Sequence, residues 1–298
     1  VIYIIVLNWN SWHDTLECLE SLLQLQFPNY RVMVCDNASE DGSEARIRQW
    51  LTQLPPHQSE RFTLVQTGEN RGYGPGNNVG IRLALQDAAM EAVWILNNDV
   101  VVDPHALSAL YEYHLAHPLR GLIGSKLRFY ASPDRIQAVG GKFNPVFASS
   151  THVGEFEIDQ GQYDRDAIRT QIDYPVGAAL FVTRAYLDSV GLLAEEYFLY
   201  FEEIDWATRG ARAGWELGYC WQSTVFHKEG GSTGSHADPK LKSYLSDYYS
   251  VINRVRFTRK FYPGYLWSVK LGLLLAAANR IRRLQFDRLN IVLKALAS

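Results

Sequence analysis

Apolar runs of strand length and amphipathic stretches of helical spacing take turns along the first 130 residues. Residues 1–7 are continuously apolar and predict a buried strand, residues 13–25 repeat apolar positions at helical spacing, residues 31–35 predict a second strand and residues 43–54 a second helix. The order continues through residues 62–66 (strand), 76–90 (helix), 92–96 (strand), 104–117 (helix) and 121–129 (strand). Strands alternating with helices in this way predict an α/β fold with a mostly parallel central sheet flanked by helices. Such sheets gather ligands beyond the carboxyl ends of their strands.

The pattern weakens over residues 131–175, rich in Gly, Asp, Gln and Ser, which read as loop or short hairpin, suited to an acceptor-side or lid segment of a site. It resumes with a strand over 176–183, a helix over 202–213 and one or two strands over 216–225. Beyond a Gly/Ser-rich stretch, residues 240–261 and 265–296 read as long helices. This divides the chain into a catalytic domain over 1–235 and a C-terminal helical extension over 236–298.

With 47% hydrophobic and 20% charged residues the chain has the composition of a folded globular protein. A formal charge of −3 argues against a general nucleic-acid partner, which needs a basic face. Cys18, Cys35 and Cys220 have no metal-like spacing and suit a reducing, cytoplasmic setting. The opening run lacks a basic flank and a cleavage site, so it reads as a strand rather than a signal segment.

Four polar clusters directly follow or lie between predicted strands: Asn8-Trp9-Asn10, Asp36-Asn37-Ala38-Ser39, residues 70–80, and Asn97-Asn98-Asp99. Each alone has a structural explanation, since Asp36 and Ser39 suit a turn or a helix cap and a glycine-rich turn often leads a helix. The stretch from Asn70 to Gly80 holds Gly72, Gly74, Gly76 and Gly80, so its backbone can approach a ligand closely. Its glycine spacing is not that of the dinucleotide fingerprint. Asn97, Asn98 and Asp99 place oxygen donors at a strand end, which suits Mg2+ or Mn2+ shared with substrate phosphates. Glu202, Glu203 and Asp205 open a helix behind the aromatic run Phe198-Leu199-Tyr200-Phe201, where a carboxylate would sit in partly dry surroundings. His227 ends an apolar stretch before a glycine-rich turn and suits either a structural or a functional role.

In order, the segments V-L-N-W-N, D-N-A-S-x-D-G-S, E-N-x-G-Y-G-x-G-N-N-x-G, L-N-N-D-V, G-A-A-L-F-V-T-R, F-L-Y-F-E-E-I-D-W and H-K-E-G-G-S-T-G resemble family 2 of the glycosyltransferases, particularly its bacterial rhamnosyltransferase-like branch, over roughly residues 1–235. The resemblance implies a GT-A fold, an Asp-x-Asp metal element and inversion by one direct displacement. Carried to this chain, Asp36 would read a pyrimidine base, Asn8 would lie near the nucleoside, and Asn70, Gly72, Asn77, Asn97 and Asn98 would lie along the donor site. Asp99 and His227 would be metal ligands and Glu203 the general base. Asn97 replaces the first acid of the metal element, which removes one charge. The acidic pair is Glu202-Glu203, so Asp205 is a rival for the base.

The implied reaction moves a sugar from a nucleotide-diphosphate donor, a dTDP- or UDP-sugar, to a saccharide or lipid-linked glycan acceptor. A nucleotidyltransferase making the nucleotide sugar, or a non-catalytic glycan-binding protein, are the alternatives. The first should surround a triphosphate with basic residues, and residues 70–80 offer Arg71 alone. At the C-terminus, Tyr265, Trp267 and the apolar run 271–278 precede Arg280, Arg282, Arg283 and Arg288. The run is shorter than the about 20 apolar residues of a membrane-spanning helix, so the expectation is a helix lying on the inner face of the plasma membrane or packed on the protein. A homo-oligomer is compatible with the sequence.

Overall fold

The computed structural model describes residues 1–228 and 243–297. The first half runs β1 (Ile2–Asn8), α1 (Trp12–Leu23), β2 (Tyr30–Asp36), α2 (Ser43–Gln53), α3 (Pro56–Ser59), β3 (Phe62–Gln66), α4 (Tyr73–Ala84), β4 (Ala92–Asn97), β5 (Val100–Val102), α5 (Ala106–Ala116) and β6 (Arg120–Phe129). Then follow β7 (Ser132–Ala138), β8 (Gly141–Asn144), β9 (Ser149–His152), a 3₁₀ turn (Asp166–Gln171), β10 (Ala179–Thr183), α6 (Arg184–Val190), α7 (Glu202–Arg212) and β11 (Glu216–His227). The chain ends in α8 (Tyr244–Phe261), α9 (Leu266–Arg282) and α10 (Phe286–Ala297).

Nine strands form one sheet in the order β3-β2-β1-β4-β10-β6-β11-β5, with β7 on β6. Strands β3, β2, β1 and β4 are parallel, as the βα alternation requires, and β10 is inserted antiparallel between β4 and β6. The period of two along β1 explains its burial on both faces. Ile2, Ile4 and Val6 meet Leu19, Leu22 and Leu107 on one side, while Tyr3 and Ile5 join the core containing Ile81, Tyr186 and Trp206 on the other.

Several elements depart from expectation. The glycine-rich stretch is already helical from Tyr73, because its glycines let α4 lie against the sheet: a Cβ on Gly80 would stand 2.9 Å from Cys35 Sγ and Ile5 Cγ2. Residues 131–175, which read as loop or short hairpin, hold the β8–β9 hairpin and, beyond that expectation, β7 paired with β6. A short helix, α6, follows Thr183, whose Oγ1 accepts the Tyr186 N–H at 3.2 Å. The last predicted helix breaks at Leu284 (φ 56°), and α10 folds back to bury Ile291, Val292 and Ala295 against Val251, Val255 and Leu273. Helix α8 is no outlying extension, since Phe257 and Phe261 pack in the core beneath α7.

Candidate active site

A cavity of about 480 Å³ opens at the carboxyl ends of β1 and β4, between them and α7. Its wall includes Trp9, Asn37, Asn70, Asn98, Asp99 and Glu203. Asn8 and Asp36 stand behind that wall. Parallel pairing sets them side by side, and Asn8 Nδ2 donates to Asp36 Oδ1 at 2.6 Å and to Ser39 Oγ at 3.0 Å. Ser39 also donates through Oγ to Asp36 Oδ1 at 2.6 Å, so both residues act first as the frame of the turn after β2. Direct contact with a ligand through Asp36 would require Ser39 to give up these bonds. Thr15 ties the next strand end in, donating to Asn8 Oδ1 at 2.7 Å and accepting from Asn98 Nδ2 at 3.0 Å.

Asn70 Oδ1 accepts from Gly72 N at 3.0 Å and from Asn37 Nδ2 at 2.8 Å, which fixes the glycine loop against the β2 turn. Gly72 has a φ of +101°, and a Cβ there would overlap the Phe198 carbonyl and Cα. Only glycine permits this approach, and Tyr73 N then donates to Phe198 O at 2.7 Å. Asn77, expected beside the donor, is fully buried and donates to Tyr73 O at 3.0 Å within the helix, away from the cavity.

The turn held by Gly72 is unusual. Phe198, Tyr200 and Phe201 all have positive φ (65°, 69° and 78°), a conformation costing of order 1–3 kcal/mol each in non-glycine residues. Asn253 of α8 holds it by donating from Nδ2 to Tyr197 O and Leu199 O, both at 2.8 Å, and to Tyr200 O at 3.2 Å. The turn delivers Glu202 and Glu203 to the cavity at the first turn of α7. Burial, and then the adjacent Glu203 charge, hold the Glu202 carboxyl well above the usual carboxylate range, and its Oε1 has no partner among the described residues. Burial lifts Glu203 from 4.5 to about 7, against the opposing pull of its own backbone N–H.

On the opposite side, β11 pairs antiparallel with β5 so that His227 faces Val100, next to Asp99. His227 Nε2 lies 3.1 Å from Asp99 Oδ1, and Asn97 Nδ2 donates to it at 3.5 Å. His227 Nδ1 lies 2.8 Å from Gln137 Oε1 on β7 and donates to it. With Nδ1 turned to Gln137, Nε2 faces the Asp99 carboxylate, where the two can share a proton or hold a cation between them. A carboxylate and an imidazole oriented from behind suit a divalent ion that takes its other ligands from water and phosphate. Among the described residues no group of three or more His, Cys, Asp or Glu could hold a metal alone. The stretch after Lys228 lies outside the described residues.

Asp205 does not share this cavity, and the structure corrects its candidacy as base. It is fully buried on the far face of α7, accepting from Tyr197 OH at 2.9 Å, Arg209 Nε at 2.5 Å and Lys260 Nζ at 2.7 Å. Asp205→Asn is expected to lower stability by about 2–3 kcal/mol, below the value for a wholly buried pair because Arg209 and Lys260 reach solvent. Urea unfolding measures this. Turnover per folded molecule should change little, and a fall as large as that of a Glu203 variant would return Asp205 to the chemistry.

The sequence profile described as glycosyl transferase family 2 matches residues 3–188. The chain belongs to glycosyl transferase family 2. A low-salt glycan biosynthesis hexosyltransferase of Haloferax volcanii is 25% identical over 76% of this chain and 66% of its own length. An N-acetylglucosaminyl-diphospho-decaprenol L-rhamnosyltransferase of Mycobacterium tuberculosis is 27% identical over 74% of this chain and 75% of its own. A Pyrobaculum calidifontis mannosyltransferase, solved with GDP-mannose and Mn2+, superposes with a TM-score of 0.56 at 18% identity, covering 99% of this chain and 86% of the other. That likeness, and one to S. aureus TarS residues 1–349 (TM-score 0.53, 14% identity, 99% and 80% covered), establishes the GT-A fold.

Within this family-2 transferase, Gln137, Tyr73 and Asn253 were not singled out by sequence reasoning. Gln137 lies in the stretch of weak periodicity, and its one signal is a polar residue between apolar Ile136 and Ala138. Tyr73 donates to Gly177 O at 2.6 Å, and Ala178 O accepts the Asn97 N–H at 3.0 Å, so this loop joins the Glu203 and Asp99 sides of the cavity.

Proposed function

We propose that this glycosyltransferase moves a hexose, rhamnose being the leading candidate, from a dTDP- or UDP-sugar to a hydroxyl of a lipid-linked saccharide, by one inverting displacement. The observation that carries the reading is Glu203, a carboxyl poised near neutrality across one cavity from the Asp99–His227 pair. Glu203 takes the acceptor proton as the hydroxyl oxygen attacks the anomeric carbon and the bond to the diphosphate breaks, a contribution of roughly 10²–10⁴-fold for a positioned base. Asp99 and His227 would hold Mg2+ or Mn2+, which when bound supplies Lewis-acid stabilisation to the leaving diphosphate. Trp9, Asn37, Asn70 and Gly72 line the donor side, with Asn8 and Asp36 shaping it from behind. The lipid-linked acceptor is supported by the likeness to the mycobacterial N-acetylglucosaminyl-diphospho-decaprenol L-rhamnosyltransferase.

A panel of nucleotide sugars assayed for nucleoside diphosphate release tests the activity, with the anomeric configuration of the product as an independent check. Net retention would exclude the single displacement. No turnover with any donor and acceptor pair would favour a glycan-binding role.

Among the described residues no helix is long and apolar enough to cross a membrane. Helix α9 nevertheless exposes Trp267, Leu271, Leu274, Leu275 and Ile281 at helical spacing, with Trp267 68% and Leu275 63% accessible. Arg282 and Arg283 stand exposed at its end. This apolar face with adjacent cations suits the headgroup layer of an anionic bilayer on the cytoplasmic side. Replacing Trp267 and Leu271 with Ser is expected to weaken sedimentation with anionic vesicles by roughly ten-fold or more. Equal recovery of both proteins would remove the membrane from this reading.

A further inference from the structure

Arg254 of α8 reaches the same cavity from a wall that also includes Leu245, Ser250 and Ser149. Its guanidinium makes no hydrogen bond or ion pair with any described residue, whereas Arg256 donates to Asn253 Oδ1 at 3.1 Å and Arg280 to Asp247. The carboxylate that could answer it is taken. Asp247, about two turns earlier on α8, accepts from Arg280 at 2.9 Å through each oxygen and lies 3.4 Å from Arg288. Three arginines therefore surround one carboxylate, and the one left over points to the cavity. Burial disfavours its charge, which the Asp247 carboxylate only partly offsets.

A part-buried guanidinium without a counter-ion is destabilising unless a ligand supplies the anion. The donor diphosphate is assigned above to the Asp99–His227 side, and Arg254 comes from another element. Its neighbours Val251 and Val255 pack on α9 and α10, so it stands between the cavity and the helices that carry the exposed apolar face. We propose that Arg254 recognises a phosphoryl group carried by the acceptor, engaging two of its oxygens through the planar fork that only arginine offers. This rests on the transferase reading for its location, and on the uncompensated cation for its chemistry. The phosphoryl group could belong to a lipid diphosphate or to a water-soluble phosphate.

The test uses the full chain in EDTA, which strips divalent ions from the Asp99–His227 pair. It is titrated with inorganic diphosphate, and separately with neutral phosphatidylcholine vesicles with or without a polyprenyl diphosphate. Wild type is expected to bind a diphosphate-bearing probe about ten-fold or more tightly than Arg254→Gln, with Arg254→Lys between them. Preference for the vesicle probe alone assigns the lipid source, and preference for inorganic diphosphate as well assigns the phosphoryl group by itself. Melting temperature guards against misfolding: loss of an unpaired cation should leave Arg254→Gln as stable as wild type or more so. Equal binding of wild type and Arg254→Gln to every probe overturns the proposal, as does a lowered melting temperature with unchanged binding, which would make Arg254 structural. Nucleoside diphosphate release, assayed separately with Mg2+ or Mn2+, reports on the transferase reading and not on Arg254.

Discussion

Glu203→Gln lowers turnover by roughly 10²-fold or more while leaving donor affinity close to wild type, because the lost interaction is proton transfer in the transition state. The amide keeps the shape of the side chain and removes its capacity to accept a proton. Steady-state kinetics with a saturating acceptor decides it, and a variant with near wild-type turnover would leave the proton to another group. The pH profile adds a second readout. With its carboxyl near 7, wild-type Glu203 is ionised and competent above that value, so activity should fall as the pH drops through about 7. Burial, and then the Glu203 charge, raise the adjacent Glu202 carboxyl well above the usual carboxylate range.

The same shift makes a stability prediction of opposite sign. A carboxyl raised from 4.5 to about 7 binds its proton more tightly in the folded chain, so stability is highest below the unfolded value. It declines between about pH 4.5 and 7 as the buried group is forced to ionise, by up to about 3 kcal/mol. Glu203→Gln never ionises. It should therefore be more stable than wild type at pH 8 and indistinguishable from it at pH 4, a pairing of lost activity with gained stability that a residue merely supporting the fold would not produce.

The strands and most helices were legible because a buried parallel strand is a continuous apolar run and its covering helices repeat at helical spacing. The strand-end positions of Asn98, Asp99 and Asn70 followed from that reading, since the sheet dictates where ligands gather. What one strand cannot announce is its partner. The antiparallel pairing of β10 with β4 and the pairing of β11 with β5, which carries His227 to Asp99, depend on contacts between residues more than eighty positions apart. Glu203 and Asp205 show a finer limit. Two positions apart on a helix they point about 200° from one another, so the spacing says that only one faces the cavity, and tertiary packing decides which. Asn253 and Arg254 were invisible for a related reason: α8 is packed on several sides, so its polar residues do not mark out a solvent face.

Asp99→Asn is the second large effect expected, a fall in turnover of at least about 10²-fold, since Lewis-acid stabilisation of a departing diphosphate is worth several kcal/mol. The fold should survive, because the Asp99 contribution to the strand arrangement is its carbonyl, which accepts the Lys228 N–H at 2.9 Å, and the substitution leaves the backbone in place. Metal binding can be read without turnover. Mn2+ together with a nucleoside diphosphate should raise the melting temperature of wild type, and this shift should vanish in Asp99→Asn. Because Asn97 stands where a second acid would add charge, Mn2+ alone should shift even wild type little, the phosphates being needed to complete the ligand set. Gln137→Ala separates holding the ion from orienting its ligand. It leaves Asp99 and His227 present but frees the Nδ1 side of the ring, and is expected to weaken metal affinity by about 10- to 100-fold while raising the concentration of Mn2+ needed for half-maximal turnover. An Asp99→Asn protein that retains both its turnover and its metal-dependent shift would move the ion elsewhere, and a Gln137→Ala protein with an unchanged Mn2+ requirement would show that the imidazole is oriented by the strand pairing of β11 alone.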